Sequence, residues 1–231
     1  MLETVKLSII IPVLDEAAAI VPSLQALQPL RARGHEVIVA DGGSADGTAA
    51  LATPLADRVI AAPRGRAVQM NRGAALAGGE VLLFLHADTR LPGNAGRLVA
   101  EALARGGRCW GRFDVRIEGR SPLLALVGAC MNLRSRLTGI ATGDQAIFAD
   151  RAAFERIGGF PEIALMEDIA FSRRAKRLSA PACVRAAAIT SGRRWDRHGV
   201  VRTVVLMWRL RLAYFLGARP DELARRYAAK T

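Results

Sequence analysis

Apolar residues in about the first 90 positions of the sequence fall into four short runs, which polar and glycine-containing segments separate. Runs of this length are typical of strands that are buried on both faces of a parallel sheet. They predict strands at Leu7–Val13, Val37–Asp41, Arg58–Ala61 and Val81–Asp88. The intervening segments predict helices at Ala17–Arg33, at a short stretch from Asp46, and at Gly65–Ala77. This alternation predicts an α/β fold with a mostly parallel, doubly wound central sheet flanked by helices.

Beyond Pro92 the pattern is less regular. It predicts helices at about Gly93–Ala104, from Pro122 to Leu137 within the segment that begins at Ser121, at Met166–Leu178 and at Gly199–Leu216. It also predicts a half-exposed strand at Trp110–Ile117 and a strand at Gln145–Ala149. Neither a repeat nor a low-complexity linker divides the chain. We therefore expect a single domain over residues 1–231, with three consecutive parts at about 1–92, 93–198 and 199–231.

Composition and charge exclude several classes of protein. The 231 residues carry a net charge of +12, of which +7 lies between Ser191 and Thr231. This surplus favours phosphorylated ligands, anionic lipid or nucleic acid, but no nucleic-acid-binding motif is present, so we expect no nucleic-acid partner. Three widely spaced cysteines suit reduced thiols better than a disulfide framework or a zinc site. With no apolar stretch long enough to span a bilayer and no signal-sequence pattern, we expect a cytoplasmic protein.

The last predicted helix, Gly199–Leu216, is apolar but contains several arginines. We favour packing on its own domain or against a second subunit, which would make the protein a homodimer. The alternative is a helix that lies on the inner face of the membrane with its arginines at the headgroups, as in a peripheral membrane protein.

Three of the predicted strands end in acidic residues. The first leads into Asp15-Glu16, the second ends at Asp41 and the fourth at Asp88. Open α/β sheets bind ligands at the edge where the carboxyl ends of their strands meet. Asp41, which two glycines follow, can accept hydrogen bonds from a base or a ribose; a turn that leads into a helix cap is the alternative. The first turn reads PVLDEAA instead of GxGxxG, which argues against NAD or FAD.

Other candidate residues lie at predicted helix starts and turns. Arg66 and Asn71 belong to the helix before the Asp88 strand, where a diphosphate could bind near a helix N-terminus. Glu167 and Asp168 begin a helix whose dipole favours the ionised form that a general base requires, although acids are common in any first turn. Asp144 could contact a substrate or belong to a turn. The segment Arg193-Arg194-Trp195 could supply charge and a stacking face, or solvated arginines beside a packed Trp.

These motifs together resemble the family 2 glycosyltransferases of the GT-A fold, over about Leu7 to Trp195. The resemblance rests on IIIPVLDE, on VIVADGGSADGT, on HAD in the place of the DxD motif, and on Met166-Glu167-Asp168. The segments MED, GDQAIF and RRW are similar to a bacterial subgroup, some members of which are associated with radical-SAM genes and arsenosugar biosynthesis. The family implies inverting transfer of a sugar from a UDP- or GDP-sugar to an acceptor, assisted by Mg²⁺ or Mn²⁺.

Carried over by position, the resemblance implies three groups of site residues. The nucleotide-sugar donor would contact Pro12, Leu14, Glu16, Asp41, Arg66, Asn71, His86, Ala87 and Asp88. Asp88 would bind the metal, and Asp168, beside Glu167, would be the general base. The acceptor and diphosphate side would include Asp144, Gln145, Arg194 and Trp195. The three parts of the domain would then be a nucleotide-sugar-binding half, an acceptor-binding and catalytic half, and C-terminal basic helices.

Two positions depart from the family pattern. His86 replaces the first acid of DxD, and it could be a metal ligand, a residue that supports the ligands, or a wall of the sugar pocket. Metal affinity would then depend mostly on the diphosphate, as is usual for Mg²⁺. Ser191 replaces the Gln of the QxxRW motif, which argues against a processive polysaccharide synthase.

The competing hypotheses are a noncatalytic nucleotide-binding module, a nucleotidyltransferase that releases pyrophosphate, and a basic nucleic-acid-binding protein.

Overall fold

The computed structural model describes residues 5–228, and eight strands in this part of the chain form one mixed sheet. The strands are β1 (Leu7–Val13), β2 (Glu36–Asp41), β3 (Arg58–Ala61), β4 (Val81–Phe84), β5 (Thr89–Arg90), β6 (Trp110–Glu118), β7 (Phe148–Asp150) and β8 (Ala182–Ser191). Their order across the sheet is β3-β2-β1-β4-β7-β6-β8-β5. Strands β3, β2, β1 and β4 are parallel, as predicted, and β6 is parallel to β8. The antiparallel pairs are β4–β7, β6–β7 and β5–β8.

Helices cover both faces of the sheet. In the described range they are α1 (Ala17–Arg31), α2 (Thr48–Ala52), α3 (Arg66–Leu76), α4 (Ala95–Ala104), α5 (Leu123–Thr138), α6 (Arg151–Ile157), α7 (Glu167–Ala175), α8 (Arg193–His198), α9 (Val200–Phe215) and α10 (Pro220–Ala228), with a 3₁₀ turn at Gly143–Gln145. Helices α1 and α4 contribute to the core on one face, and α3, α6 and α7 to the core on the other. None of the helices within residues 5–228 is both long and apolar enough to cross a bilayer.

The apolar run of β1 explains why this strand lies inside the parallel half of the sheet. Ile9 and Ile11 belong to one core and Ile10 to the other, and all three side chains are fully buried. Burial of one such side chain stabilises the fold by about 1.5–3 kcal/mol. The register pairs Val13 with Asp41, so the ends of β1 and β2 meet at the same edge of the sheet.

Several predicted boundaries are corrected by the structure. The fourth strand ends at Phe84 instead of Asp88, because the backbone turns after Leu85 and the Thr89 amide bonds the His86 carbonyl. The predicted strand Gln145–Ala149 is observed as Phe148–Asp150, because Gln145 belongs to the 3₁₀ turn that precedes it. The strand β6 is mostly buried instead of half-exposed, because Arg112 lies inside the protein, where Asp114 and Ser135 satisfy its guanidinium.

Five elements have no counterpart with predicted bounds: β5, β8, α6, α8 and α10. The strand β8 pairs with β6 and with β5, so its conformation depends on distant partners and not on a local apolar alternation. This strand ends at Ser191 and leads directly into α8, which brings Arg193 and Arg194 to the edge where β1 and β4 end.

Candidate active site

Two carboxylates, one in the loop after β1 and one in the turn after β4, both lie close to Arg193. Its Nη2 atom is 3.6 Å from Glu16 Oε2 and 3.8 Å from Asp88 Oδ2. Burial, followed by the negative charge of Asp88, raises the pKa of Glu16 above its usual range. The two acids that follow β1 and β4 thus share one basic partner, and their contact with a ligand stays a prediction.

The same two acids are the groups that could hold a divalent cation. Within residues 5–228 there is no cluster of three or more His, Cys, Asp or Glu side chains with metal-binding geometry. One or two carboxylates, completed by substrate phosphates and water, are a common donor set for Mg²⁺. The residues present therefore fit a metal that binds together with a diphosphate, and do not fit a metal held by the protein alone.

Asp41 lies at the end of β2, and its carboxylate is engaged with the loop that follows. The backbone N–H groups of Gly43 and Ser44 both donate to its Oδ2, at 3.1 Å each. The neighbouring loop after β1 is bound to the same segment, since the Glu16 amide donates to Thr48 Oγ1 at 2.9 Å. These bonds fix the two loops that form the predicted nucleoside side, where Pro12 and Leu14 are partly exposed.

His86, in the position of the first DxD acid, is held by an acid from another part of the chain. Its Nδ1 atom is 3.2 Å from Asp144 Oδ1, and about four fifths of its side chain is covered. The imidazole lies directly against Gly143, where an added Cβ would be 2.4 Å from His86 Nε2. Burial acts to raise the pKa of Asp144, but the His86 hydrogen bond and the charges of His86, Arg66 and Arg194 outweigh it and lower that pKa.

Glu167 and Asp168 begin α7, as predicted, and have different environments. Glu167 is buried, with 4% of its surface exposed, and its Oε1 atom is 3.3 Å from Arg66 Nη1. Met166 immediately before them has φ 71°, a left-handed conformation that is unfavourable for a residue with a Cβ. Its side chain is buried against α9 in a small apolar cluster, which holds this strained helix start in place.

Asp168 is the acid with the most perturbed environment in the site. Burial and then the adjacent Glu167 charge raise its pKa to about 6. The amides of Gly143 (3.0 Å) and Ile169 (2.7 Å) donate to its two oxygens and, with Arg66, oppose the rise. A small cavity brings Asp168, Glu167, Arg66 and His86 together. Residues from α3, the β4 end and α7 therefore converge on one point.

The remaining predicted residues have mixed surroundings. Asn71 exchanges two hydrogen bonds of 2.9 Å with the backbone of Phe160 and so fixes the loop before α7. Gln145 is fully buried and closes the 3₁₀ turn through a capping box with Thr142. Ala87 is buried in the core, and Trp195 packs against β6 and α5. These four side chains support the site, and their direct contact with a ligand stays a prediction.

Two arginines lie near the acids of the predicted acceptor side. Burial and the Arg66 charge lower the pKa of Arg194, whose guanidinium carbon is 4.1 Å from the ring centroid of Tyr227. Sequence reasoning did not select Arg134, which extends from α5 and interacts electrostatically with Asp144 and Asp168. Its Nε and Nη2 atoms are buried and make no hydrogen bond among the described residues. No local pattern marks this arginine, because its neighbours in sequence are ordinary helix residues.

The family description "Glycosyl transferase family 2" matches residues 8–126 of the 231 residues. The fold is similar to that of S. aureus TarS 1-349 in complex with UDP-GlcNAc, with a TM-score of 0.65, 19% identity, and coverage of 80% of this chain and 58% of that chain. It is also similar to the mannosyltransferase PcManGT from Pyrobaculum calidifontis in complex with GDP-Man and Mn²⁺, with a TM-score of 0.61, 19% identity, and coverage of 97% and 69%.

A third similar structure is glucosyl-3-phosphoglycerate synthase from Mycobacterium tuberculosis with Mn²⁺, UDP and glucosyl-3-phosphoglycerate, with a TM-score of 0.58, 20% identity, and coverage of 81% and 70%. None of the curated proteins matches the sequence. The chain spans less than two thirds of the length of the TarS chain, and at these identities the similarity concerns the fold. The match of the family description over more than half of the sequence, on a mostly parallel sheet of the GT-A type, shows that this chain belongs to glycosyl transferase family 2.

Proposed function

We propose that this protein is a nonprocessive, inverting glycosyltransferase that moves a sugar from a nucleoside-diphosphate sugar to an acceptor hydroxyl, with Asp168 as the general base. The observation that carries the proposal is the position of Asp168, which lies in a cavity with Arg66 and His86 and has a pKa raised to about 6. A base of this pKa is ionised at neutral pH and still has appreciable affinity for a proton. The nonprocessive character rests on Ser191, which stands where processive members carry Gln.

The choice of Asp168 over Glu167 follows from their partners. Glu167 is almost completely buried and forms an ion pair with Arg66, so its charge is already used within the protein. Asp168 is only partly buried and accepts its hydrogen bonds from backbone amides, which leave a carboxylate lone pair for a substrate proton. Glu167 is then a positioning residue that also raises the proton affinity of Asp168.

Donor binding is assigned to the edge formed by the ends of β1, β2 and β4. Asp41 and the loops it fixes would receive the nucleoside, and Asp88 with Glu16 would face the diphosphate. A Mg²⁺ or Mn²⁺ ion bound there would offset the negative charge that accumulates on the leaving diphosphate. Arg193 and Arg194 supply positive charge from α8 to the same place. The similar structures bound to UDP-GlcNAc, or to GDP-Man and Mn²⁺, support this assignment.

The reaction is a single displacement at the anomeric carbon. The acceptor oxygen forms a bond to this carbon while its proton passes to the Asp168 carboxylate. The bond from the anomeric carbon to the diphosphate oxygen breaks, and its electron pair leaves with the nucleoside diphosphate. Because attack and departure occur on opposite sides of one carbon, the configuration at that carbon is inverted. Arg134, with two unused donor atoms beside Asp144 and Asp168, is placed to orient acceptor oxygens.

The test is turnover of a panel of UDP- and GDP-sugars with Mn²⁺, with release of nucleoside diphosphate as the readout. Asp168→Asn should lose about 10²–10⁴-fold in turnover, which is the usual contribution of a general base. The increase in melting temperature that the donor causes should be the same in the variant and in the wild type. The matched control is Asp221→Asn, whose exposed carboxylate lies in α10. Equal turnover by Asp168→Asn and the wild type would overturn the assignment. Consumption of a nucleoside triphosphate with pyrophosphate release would identify a nucleotidyltransferase. Donor binding without any turnover would identify a noncatalytic module.

The narrower assignments extend this proposal. We assign donor binding to about residues 1–92 and acceptor binding with catalysis to about residues 93–198. The C-terminal basic helices follow at about residues 199–231. The subgroup resemblance points to an arsenosugar pathway, and an acceptor screen that includes small hydroxylated metabolites tests it. Failure of all such acceptors, with donor hydrolysis retained, would remove the subgroup assignment and leave the transferase in place.

A further inference from the structure

Large apolar side chains that remain exposed are concentrated on one part of the molecule. Ten of the twelve such side chains in residues 5–228 lie on α5, on α9 or directly after α9. They are Leu123, Leu126, Leu133, Leu137, Val201, Val205, Trp208, Leu212, Phe215 and Leu216. We call this set the α5–α9 surface. A contiguous apolar surface on a protein marks an interaction site, whereas single exposed apolar residues do not.

On each of the two helices the exposed residues form a stripe. Within the helices their spacing is three or four positions, apart from one gap in α5 that the exposed Cys130 fills, and Leu216 directly follows the end of α9. Such spacing places them on one side of a helix. The opposite side of α9 is packed inside the protein, where Leu210 belongs to a cluster with Met166 and Ile169. The two helices approach each other near the start of α9, where Val200 belongs to the apolar cluster that also contains residues of α5.

Positive charge accompanies these stripes. Arg202 and Arg209 are exposed on α9 among the apolar residues. A cavity of about 270 Å³ lies beside them and is lined by Arg194, His198, Arg202 and Arg209, with apolar side chains of α9 between them. The segment from Ser191 to Thr231 carries +7 of the net charge. The surface is therefore apolar and cationic at the same time.

We propose that the α5–α9 surface docks this protein on a bilayer that contains anionic phospholipid, with a headgroup phosphate in the basic cavity. A helix that lies in a membrane interface combines an apolar stripe with Trp and arginines, which contact the acyl boundary and the headgroups respectively. A second copy of the chain is less suitable, because a two-fold interface through α9 would bring like-charged arginines together. This inference does not depend on the proposed reaction, but Arg194 belongs both to the cavity and to the candidate active site. Docking would therefore hold that site near the membrane surface.

The test is sedimentation of the full chain with vesicles of phosphatidylcholine alone or of equal parts phosphatidylcholine and phosphatidylglycerol. The wild type should bind the anionic vesicles, and added salt should weaken this binding. Two double variants, Trp208→Glu with Leu212→Glu and Arg202→Glu with Arg209→Glu, should each lower the partition coefficient by about tenfold or more. Circular dichroism and thermal shift with a nucleotide sugar show whether the variants still fold and bind donor, so that failure of docking is distinct from failure of the active site.

Matched controls change the same residue types elsewhere on the surface. Leu51→Glu with Leu76→Glu alters two exposed leucines outside α5 and α9, and Arg97→Glu with Arg105→Glu alters two exposed arginines of α4 and its end. These controls should keep vesicle binding within about twofold of the wild type. The proposal is overturned if the wild type does not sediment with anionic vesicles at low salt, or if controls and test variants lose binding equally. It is also overturned if sedimentation velocity shows a dimer that Trp208→Glu dissociates while vesicle binding is absent.

Discussion

With Asp168 as the proposed general base, the acidic limb of the pH–rate profile should report the ionisation of this carboxyl. Its pKa of about 6 in the free protein arises from burial and from the charge of Glu167, opposed by two backbone amides and by Arg66. A carboxyl whose pKa rises from about 4 to about 6 holds its proton about a hundredfold more tightly. Because the base acts only when ionised, kcat/KM should be constant above about pH 7. It should fall about tenfold for each pH unit below about 6.

Glu167→Gln is the perturbation that isolates this effect. It removes the like charge next to Asp168 and frees Arg66, and both changes favour the ionised form of Asp168. His86, Asp144 and Arg134 also face this region and are left intact by the substitution. The acidic limb should therefore move to lower pH. At pH 5 the variant should retain about a threefold larger fraction of its own plateau activity than the wild type does.

The assay is kcat/KM for the best UDP- or GDP-sugar between pH 4.5 and 8.5, at constant ionic strength and saturating Mn²⁺. Glu155→Gln, at an exposed position of α6, removes the same charge away from the site and should leave the profile unchanged. A wild-type limb near pH 4 would refute the assignment of Asp168 as the base. A limb that does not move in Glu167→Gln, or that moves equally in the control, would refute the electrostatic explanation.

Three further results are expected. Asp168→Asn should be more stable than the wild type at pH 8 by about 1–2 kcal/mol, because a carboxyl with a raised pKa costs stability once it ionises. In thermal melts, this gain in stability should shrink as the pH falls through 6 and should vanish below about pH 4. A gain that grows on acidification would contradict this sign. Gly143→Ala would place a Cβ 2.4 Å from His86 Nε2. This substitution should lower the stability of the protein by about 1–3 kcal/mol and reduce turnover. Gly93→Ala, whose Cβ would have no neighbouring atom within 4 Å, should change neither stability nor turnover. Chelation of Mn²⁺ should weaken donor binding in calorimetric titrations of the wild type but not in Asp88→Ala, and an equal loss in both would remove Asp88 as the metal ligand.

The parallel half of the fold was predictable because its strands are uninterrupted apolar runs. The bounds of β1 and β3 match the prediction, and β2 differs by one residue. Parallel strands end at one edge of the sheet, so the segments after β1 and β4, which carry Glu16 and Asp88, were expected to lie close together. The strand β8 was missed because alanine-rich residues carry no alternation, and its pairing with β6 imposes the extended conformation.

The cationic part of the site could be predicted only in part. The chain has 33 Lys and Arg residues, and a surface arginine and a buried one look alike in sequence. Arg66 was identifiable because it opens a helix, but Arg134 becomes a site residue only through the packing of α5. The contact between His86 and Asp144 likewise depends on the close approach that Gly143 permits.

The anomeric configuration of the first product tests the central claim most directly. Proton NMR of a reaction with an α-linked nucleotide sugar distinguishes the β from the α product. Where water takes the place of the acceptor, the spectrum is recorded before the free sugar mutarotates. Single displacement with Asp168 as the base predicts the β configuration in the wild type and product formation about 10²–10⁴-fold slower in Asp168→Asn. A product with the α configuration, or unchanged product formation by Asp168→Asn, would contradict the account.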